Sequence, residues 1–216
     1  MMPQVHVISA QRPQPDIIAA AAAVMRGNGV VILPTRGLYG LGANTDSAAA
    51  VGRVFEIKNR PPDKPLPVLI GHLRMLSHLV ADVPPMATSF MDAFWPGKVT
   101  LIMQARKGLP DGLCSSTGKV GVRLVGHPVA SALVNALGCP ITGTSANLSG
   151  SGGSCQVDAI DKQVMASVEM VLDAGALDGG PGSTVIDVTG EAPEILRQGA
   201  VTAATVMAAF ETFDAK

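Results

Sequence analysis

The chain has 216 residues, of which 47% are hydrophobic and 15% are charged, a composition that excludes an intrinsically disordered protein. Its net charge of −1 and its pI of about 6.4 do not indicate a dedicated nucleic-acid-binding protein, which is usually basic overall. The length suits one domain with a full core, and we expect a single domain over residues 1–216.

Runs of apolar and β-branched residues alternate along the chain with helical stretches that end at glycine or proline. The first half predicts helices at 17–26, 47–57, 73–79 and 85–94, and strands at 29–33, 67–70 and 99–103. The second half predicts strands at 121–124, 141–142, 169–172 and 184–188, and helices at 128–137, 156–165 and 203–213. This alternation predicts an α/β fold.

Membrane and metal signals are missing from the sequence. The longest apolar stretch, 17–25, is shorter than the roughly 20 residues that a membrane span needs, and residues 1–16 show no signal-peptide pattern. Three cysteines without a CxxC pair predict no disulfide or zinc site, and the four histidines share no metal-ligand spacing. We expect a cytoplasmic protein that has no membrane partner and binds no metal through its own side chains.

The segment PTRGLYGLG at 34–42 is glycine-rich and lies between a predicted strand and a predicted helix. Its three glycines allow the backbone to approach a ligand closely, and amides near a helix start favour anions. The spacing matches neither a P-loop nor a dinucleotide fingerprint. On the residues alone, the segment is either a ligand-binding turn or an ordinary glycine-rich turn.

Two cations, Lys58 and Arg60, lie where a predicted helix breaks at a proline pair, and Lys64 follows closely. Cations grouped in this way can hold a polyanion such as a triphosphate. They can also face solvent, because positive charge is favourable at a helix C-terminus. The sequence leaves both readings open.

Small polar residues follow the next strand, in TGTSANLSG at 142–150. Short hydroxyl and amide groups on a tight backbone suit the recognition of phosphate or carboxylate, although an ordinary polar loop has the same composition. Arg123 lies in a predicted strand between Val122 and Leu124, and a partly buried arginine needs an anionic partner. That partner is either a substrate carboxylate or a structural aspartate.

Seven segments occur in a fixed order that is more specific than any one of them. They are PTRGLYGLG (34–42), KNRP (58–61), FWPGKVTLI (94–102), GVRLVGHPVA (121–130), TSANLSG (144–150), GSTVIDVTG (182–190) and ILRQGA (195–200). This set resembles the YrdC-like family of threonylcarbamoyl-AMP synthases over about residues 14–206. The resemblance implies a single YrdC-like domain in which a twisted mixed sheet with flanking helices surrounds a large, open, positively lined cavity.

The resemblance also implies an activity, in which L-threonine, bicarbonate and ATP give threonylcarbamoyl-AMP and pyrophosphate. Mg²⁺ would accompany the nucleotide. The product would feed a downstream tRNA-modifying threonylcarbamoyltransferase that makes threonylcarbamoyladenosine. Weak binding of tRNA or double-stranded RNA is a further property that the resemblance suggests.

Site residues follow from the matched motifs. The Lys-x-Arg and Ser-x-Asn pairs of the family fall on four residues with an expected catalytic role, Lys58, Arg60, Ser145 and Asn147. The residues expected at ATP are Lys58, Arg60, Lys64, Lys119, Asn147, Cys155 and Arg197. Those expected at threonine are Thr35, Gly37, Tyr39, Arg123, Ser145 and Ser183, with the Arg123 fork gripping the carboxylate.

Several positions depart from the family pattern. Arg36 stands where an acid is frequent and changes the sign of the local charge, and Gly37 replaces a threonine that would touch the substrate. Other departures are at Lys64, Leu69, Lys119 and Cys155. The altered Arg36-Gly37 pair keeps open a paralogue that acts on another carbamoyl substrate. The resemblance itself leaves a second alternative, a double-stranded-RNA-binding protein. The acidic pI and the scarcity of aromatic residues weigh against RNA binding as the main role.

Overall fold

The computed structural model describes residues 3–215, so the predicted domain limits at residues 1 and 216 lie outside the described part. The strands within that part are β1 Gln4–Val7, β2 Val31–Pro34, β3 Tyr39–Gly42, β4 Val68–Ile70, β5 Val99–Gln104, β6 Lys119–Leu124, β7 Ile141–Thr142, β8 Thr144–Ser145, β9 Met170–Asp173, β10 Thr184–Asp187 and β11 Glu194–Arg197. The α-helices are α1 Pro15–Arg26, α2 Ala48–Lys58, α3 Leu76–Leu79, α4 Pro85–Phe94, α5 Pro128–Leu137, α6 Lys162–Ala166 and α7 Ala203–Asp214.

The strands form two mixed sheets. The five-stranded sheet has the order β1-β9-β2-β3-β8, and the six-stranded sheet has the order β11-β10-β5-β6-β4-β7. The predicted α/β class with a mixed sheet and flanking helices is confirmed, and the division into two sheets is a feature that the pattern did not predict. Strands β2 and β4 are buried along their whole length, which explains why their sequences are continuous apolar runs.

Several strands and the form of one helix were not predicted from the sequence. Strand β3 contains two glycines, which have low strand propensity, yet it pairs antiparallel with both β2 and β8. Strand β11 pairs with β10, and β1 forms an edge beside β9. The helix predicted at 156–165 is instead a 3₁₀ turn, Val157–Ala159, followed by the short α6.

Strand pairing decides which polar residues meet. The β3–β8 ladder places Gly40 opposite Ser145, and the β4–β6 ladder places Leu69 opposite Arg123. Helix α2 ends at Lys58, directly before the left-handed residue Asn59. Residues from both sheets and from the end of α2 therefore converge on one region. Among the described residues, no helix combines the length and the apolar character that a bilayer crossing requires.

Candidate functional site

A cavity of about 450 Å³ lies where these elements converge. Of the thirteen residues proposed from the sequence, those in its lining are Thr35, Gly37, Tyr39, Lys58, Arg60, Arg123, Ser145, Asn147, Ser183 and Arg197. The structure does not bring Lys64, Lys119 or Cys155 into the lining. Residues that are far apart in the chain thus form one site.

Positive charge dominates this cavity. Its cationic lining residues are Arg36, Lys58, Arg60, Arg123 and Arg197, and its acidic lining residue is the exposed Asp178. Fixed cations that outnumber acids in a concave site attract anionic ligands and hold them more strongly than the same charges do in bulk water. The cavity is therefore suited to phosphate and carboxylate groups.

Lys58 is 1% exposed and its ammonium group is bonded to the loop that contains Ser145 and Asn147. Its Nζ donates to the carbonyl oxygens of Ser145 at 2.6 Å and of Asn147 at 2.7 Å, and lies 3.4 Å from Asn147 Oδ1. These three acceptors match the three protons of an ammonium group. Burial, together with the nearby charge of Arg60, lowers the pKa of Lys58 to about 8.

Asn147 uses its whole side chain within the same loop. Its Oδ1 accepts from Ser145 Oγ and from Lys58, and its Nδ2 donates to the carbonyl oxygens of Leu148 at 2.7 Å and Ser151 at 2.6 Å. An amide nitrogen has only two protons, so neither remains for a ligand. In this arrangement Asn147 shapes the loop, whereas Ser145 Oγ keeps its capacity to accept a hydrogen bond.

Arg60 is held by the backbone just beyond α2. Its Nε donates to the Lys64 carbonyl at 2.7 Å and one Nη donates to the Pro65 carbonyl at 3.0 Å. A guanidinium has five protons, so several stay available to an anion in the cavity. Burial lowers the pKa of Arg60, as does the charge of Arg197, while Asp63 acts in the opposite direction.

Arg123 is half-buried on β6, and its one side-chain hydrogen bond to residues 3–215 is a long one, from Nη1 to the Gly97 carbonyl at 3.3 Å. The ion pairs among residues 3–215 are Arg53–Glu169 and Lys119–Asp187, so no described carboxylate pairs with Arg123. Burial lowers its pKa to about 10, and the charge of Arg197 adds to this effect. Of the two partners that the sequence left open, a structural aspartate is not found among residues 3–215.

Arg197 is the last residue of β11 and Ser183 directly precedes β10, and both line the cavity. Arg197 Nη2 donates to the Ser183 carbonyl at 2.7 Å and lies 3.3 Å from Ser183 Oγ. The Ser183 hydroxyl also lies 2.7 Å from Thr100 Oγ1 in the core. These bonds fix the Arg197 guanidinium at the cavity and leave its other nitrogen atoms for a ligand.

The turn between β2 and β3 is closed by Thr35, whose backbone N–H and side-chain hydroxyl both donate to the Leu38 carbonyl. Tyr39 lines the cavity, but its hydroxyl is bonded to the segment after β9. It lies 2.7 Å from the Gly175 carbonyl and accepts from the Ala174 N–H at 3.0 Å. Burial raises the pKa of Tyr39 to about 12. The hydroxyl of Tyr39 thus anchors a loop.

Gly37 packs against that loop. Its carbonyl accepts from the Gly179 N–H at 3.0 Å, and a Cβ at residue 37 would collide with the Gly179 carbonyl oxygen. The space that a side chain would need at this position is therefore occupied by backbone from the 178–182 loop.

We predict that Gly37→Ala lowers the free energy of unfolding by about 1–2 kcal/mol, because the new methyl group overpacks the turn. It should also accelerate hydrogen exchange at the Gly179 amide. Gly52→Ala in α2 is the matched control, since nothing lies within 4 Å of its Cβ position, and it should stabilise by roughly 0.5–1 kcal/mol. Unchanged stability and exchange in Gly37→Ala would contradict the contact.

The remaining three sequence candidates lie outside the lining. Lys119 Nζ forms a 2.7 Å ion pair with Asp187 Oδ2, and the Lys64 carbonyl accepts the Arg60 hydrogen bond. Cys155 supports the 178–182 loop, because its carbonyl accepts from the Leu177 N–H at 2.9 Å and its Sγ lies 3.9 Å from the Cβ position of Gly179.

Sequence reasoning did not propose several lining residues. Arg36 was noted only as a departure from the family pattern, and no role was predicted for the lining residues Ser151, Gly153, Asp178, Gly179 and Pro181. The dense glycines of SGSGG and DGGPG were a usable signal, because such segments often lie against ligands.

Among residues 3–215 no cluster of three or more His, Cys, Asp or Glu is placed to hold a metal ion.

Comparison with known proteins places this site in a family. The model of the Sua5/YciO/YrdC family, described as Telomere recombination, matches residues 23–199. The chain belongs to the Sua5/YciO/YrdC family. The resemblance carried by the seven ordered segments is thereby confirmed.

Three members of the Sua5/YciO/YrdC family are similar to this protein over most of the chain. A threonylcarbamoyl-AMP synthase of Bacillus subtilis (strain 168) is 37% identical over 199 residues, which is 90% of this chain and 56% of the relative. The structure of Pyrococcus abyssi Sua5 complexed with L-threonine has a TM-score of 0.89 at 31% identity and covers 95% of this chain and 60% of that one. Escherichia coli YciO has a TM-score of 0.86 at 29% identity, covering 95% and 100%. The chain thus spans little more than half the length of the Bacillus subtilis relative.

Proposed function

We propose that this chain is an L-threonylcarbamoyladenylate synthase, a nucleotidyltransferase that makes threonylcarbamoyl-AMP and pyrophosphate from L-threonine, bicarbonate and ATP. The observation that carries the proposal is the half-buried Arg123, which has no carboxylate partner among residues 3–215 and lies in a cavity with four other cations. Support also comes from the function named for the Bacillus subtilis relative and from the threonine complex of the Pyrococcus abyssi relative.

The amino-acid half of the site would be built on Arg123 and Ser145. The guanidinium fork of Arg123 matches the geometry of a carboxylate, which it would hold in two parallel hydrogen bonds. Because the Ser145 hydroxyl donates to Asn147 Oδ1, its oxygen is left to accept from the amino group of threonine. The neutral amine adds to CO₂ derived from bicarbonate and loses a proton, which combines with the hydroxide released with the CO₂, so that a carbamate and water form.

The nucleotide half would be built on Arg60 and Arg197. The carbamate oxygen attacks the α-phosphorus, the bond to the bridging oxygen breaks, and pyrophosphate leaves. Negative charge develops on the phosphate oxygens, and fixed cations that need no reorganisation stabilise it. Lys58 and Asn147 would act as positioning residues, since their protons are directed at the loop that presents Ser145.

Mg²⁺ is expected to accompany ATP in this reaction. The described residues offer no carboxylate cluster that would hold the ion, and Asp178 is the acid in the cavity lining. Mg²⁺ would therefore arrive bound to the nucleotide phosphates, where it neutralises part of their charge. We further propose that the product passes to a tRNA-modifying threonylcarbamoyltransferase.

Pyrophosphate release tests the proposed function. The protein with ATP, bicarbonate and Mg²⁺ should release pyrophosphate only when L-threonine is added. Release that requires a different amino acid would favour a paralogue with another substrate. RNA binding that weakens with salt, without any turnover, would favour the RNA-binding alternative.

A substitution at Lys119 distinguishes the ATP-binding role that the sequence predicted from a structural role in the ion pair with Asp187. Burial would raise the pKa of Asp187, but hydrogen bonds from Lys119 and Thr189 outweigh it and hold the pKa below its usual range. We predict that Lys119→Met lowers the free energy of unfolding by about 2–3 kcal/mol at pH 7 and leaves the KM for ATP unchanged.

The acid dependence provides a second measurement for the same variant. A carboxylate with a depressed pKa stabilises the fold above its unfolded value of 3.8, and this contribution is lost as the pH falls through the folded pKa. The stability deficit of Lys119→Met should therefore shrink in acid. A tenfold rise in the KM for ATP would instead support the direct ATP contact.

A further inference from the structure

Arg36 differs from the other cationic residues of the cavity lining, because it has no polar partner among residues 3–215. It is exposed, it follows Thr35 in the turn after β2, and its guanidinium makes no hydrogen bond or ion pair with residues 3–215. Arg60, Arg123 and Arg197, by contrast, each donate to at least one backbone carbonyl.

The Arg36 side chain nevertheless lies in a defined place. Its Cδ and Nη1 both lie 3.3 Å from the position that a Cβ of Gly97 would occupy. Gly97 has a φ of +99°, and its Cβ position is 3.5 Å from the Gly126 Cα, so a side chain at residue 97 would take the space that Arg36 uses. The Arg36 side chain therefore packs against the backbone of Gly97.

Arg123 approaches the same residue from another side, since its Nη1 donates to the Gly97 carbonyl. A second, small cavity of about 10 Å³ adjoins the main one, and the residues common to both linings are Thr35, Arg36, Gly97 and Arg123. The two guanidinium groups thus border the junction between the cavities. Because the small cavity is large enough for about one water molecule, a carboxylate between the arginines must lie on the main-cavity side.

Neither arginine has an ion-pair partner among residues 3–215, so both charges stay available to an anion at this junction. From this geometry we infer that Arg36 and Arg123 form a two-arginine clamp on the carboxylate of the amino-acid substrate. The inference rests on the proposed function and adds Arg36 as a binding residue. Arg123 supplies the buried fork, and Arg36 closes the carboxylate from the solvent side.

Calorimetric titration with L-threonine in the absence of ATP tests the clamp, because it needs no turnover. Arg36→Ala should weaken threonine binding about tenfold, the effect of one charge-assisted hydrogen bond at a solvent-facing site. Arg36→Lys keeps the charge without the fork and should lose about threefold. Arg74→Ala is the matched control, because Arg74 is exposed and lines neither cavity.

L-threoninamide distinguishes a carboxylate contact from a general change in cavity shape. It lacks the carboxylate, so the wild type and Arg36→Ala should bind it equally. The clamp is overturned if Arg36→Ala binds threonine as the wild type does, or if it loses threonine and threoninamide to the same degree.

The same titration separates this inference from the proposed function. A wild type that binds threonine through Arg36 but releases no pyrophosphate would refute the synthase activity and keep the clamp. A wild type that turns over with threonine, together with an Arg36→Ala variant of unchanged affinity, would refute the clamp alone. Failure of the wild type to bind threonine at all would overturn both.

Discussion

Arg123→Met is expected to make the folded chain more stable and to remove its capacity to bind threonine. The half-buried guanidinium has no carboxylate partner among the described residues, and burial lowers its pKa to about 10. A charge that the fold does not neutralise costs free energy, and methionine fills a similar volume without that cost. We predict a gain of about 1–2 kcal/mol in the free energy of unfolding.

The binding loss should be large, because removing one member of a desolvated ion pair leaves the other unpaired. Threonine affinity should fall about 100-fold, equivalent to about 3 kcal/mol, while ATP affinity changes little. Thermal unfolding with and without threonine provides the readout, since the ligand should stabilise only the wild type. A variant that is destabilised, or that keeps its shift with threonine, would show that Arg123 has a structural role instead.

Lys58→Met should have the second large effect, and here stability and turnover should fall together. Lys58 is buried, and its ammonium group donates to the carbonyl oxygens of Ser145 and Asn147. Two buried acceptors would lose their donor, which costs about 2–4 kcal/mol of unfolding free energy. Turnover should fall about 100-fold or more, since the Ser145 loop loses its anchor.

The pH dependence tests the same contact. The folded pKa of Lys58, about 8, lies below the ordinary lysine value of 10.5. Between these values the unfolded chain binds more protons, so the stability that Lys58 contributes rises with pH. The stability gap between wild type and Lys58→Met should therefore widen from pH 8 towards pH 10. Lys107→Met, at an exposed lysine outside the cavity lining, is the control and should show no gap.

Much of the secondary structure could be predicted from the sequence, because it depends on patterns of neighbouring residues. The strands at 99–103, 121–124 and 184–188 are apolar runs with a turn at each end, and the observed β5, β6 and β10 coincide with them within two residues. Strand β3 could not be predicted from the sequence, because Tyr39–Gly42 becomes a strand only through its pairing with β2 and β8. Local propensity cannot report a ladder whose partner lies about a hundred residues away.

The candidate site, like the fold, could be predicted from the sequence only in part. Residue type and order indicated that Lys58, Arg60, Arg123, Ser145 and Asn147 belong to one anion-binding site, and the structure places all five in one cavity. The division of labour among them was not predictable. The protons of Lys58 are directed at carbonyl oxygens that lie 87 and 89 residues away in the sequence. Those of Asn147 are directed at carbonyl oxygens one and four residues away. Residue type alone does not show whether such a proton faces a carbonyl oxygen or a ligand.

The sequence by itself determined the fold class, the family and the cationic character of the site, because these depend on residue type, apolar periodicity and the order of short motifs. Only the tertiary structure decided that Lys119 belongs to Asp187, that Gly37 is packed against Gly179, and that Arg36 is seated beside Arg123 on Gly97. The physical reason is that hydrogen bonds, ion pairs and steric contacts act over a few ångströms. They are therefore set by which distant segments the sheets bring together, and not by the neighbours of each residue in the chain.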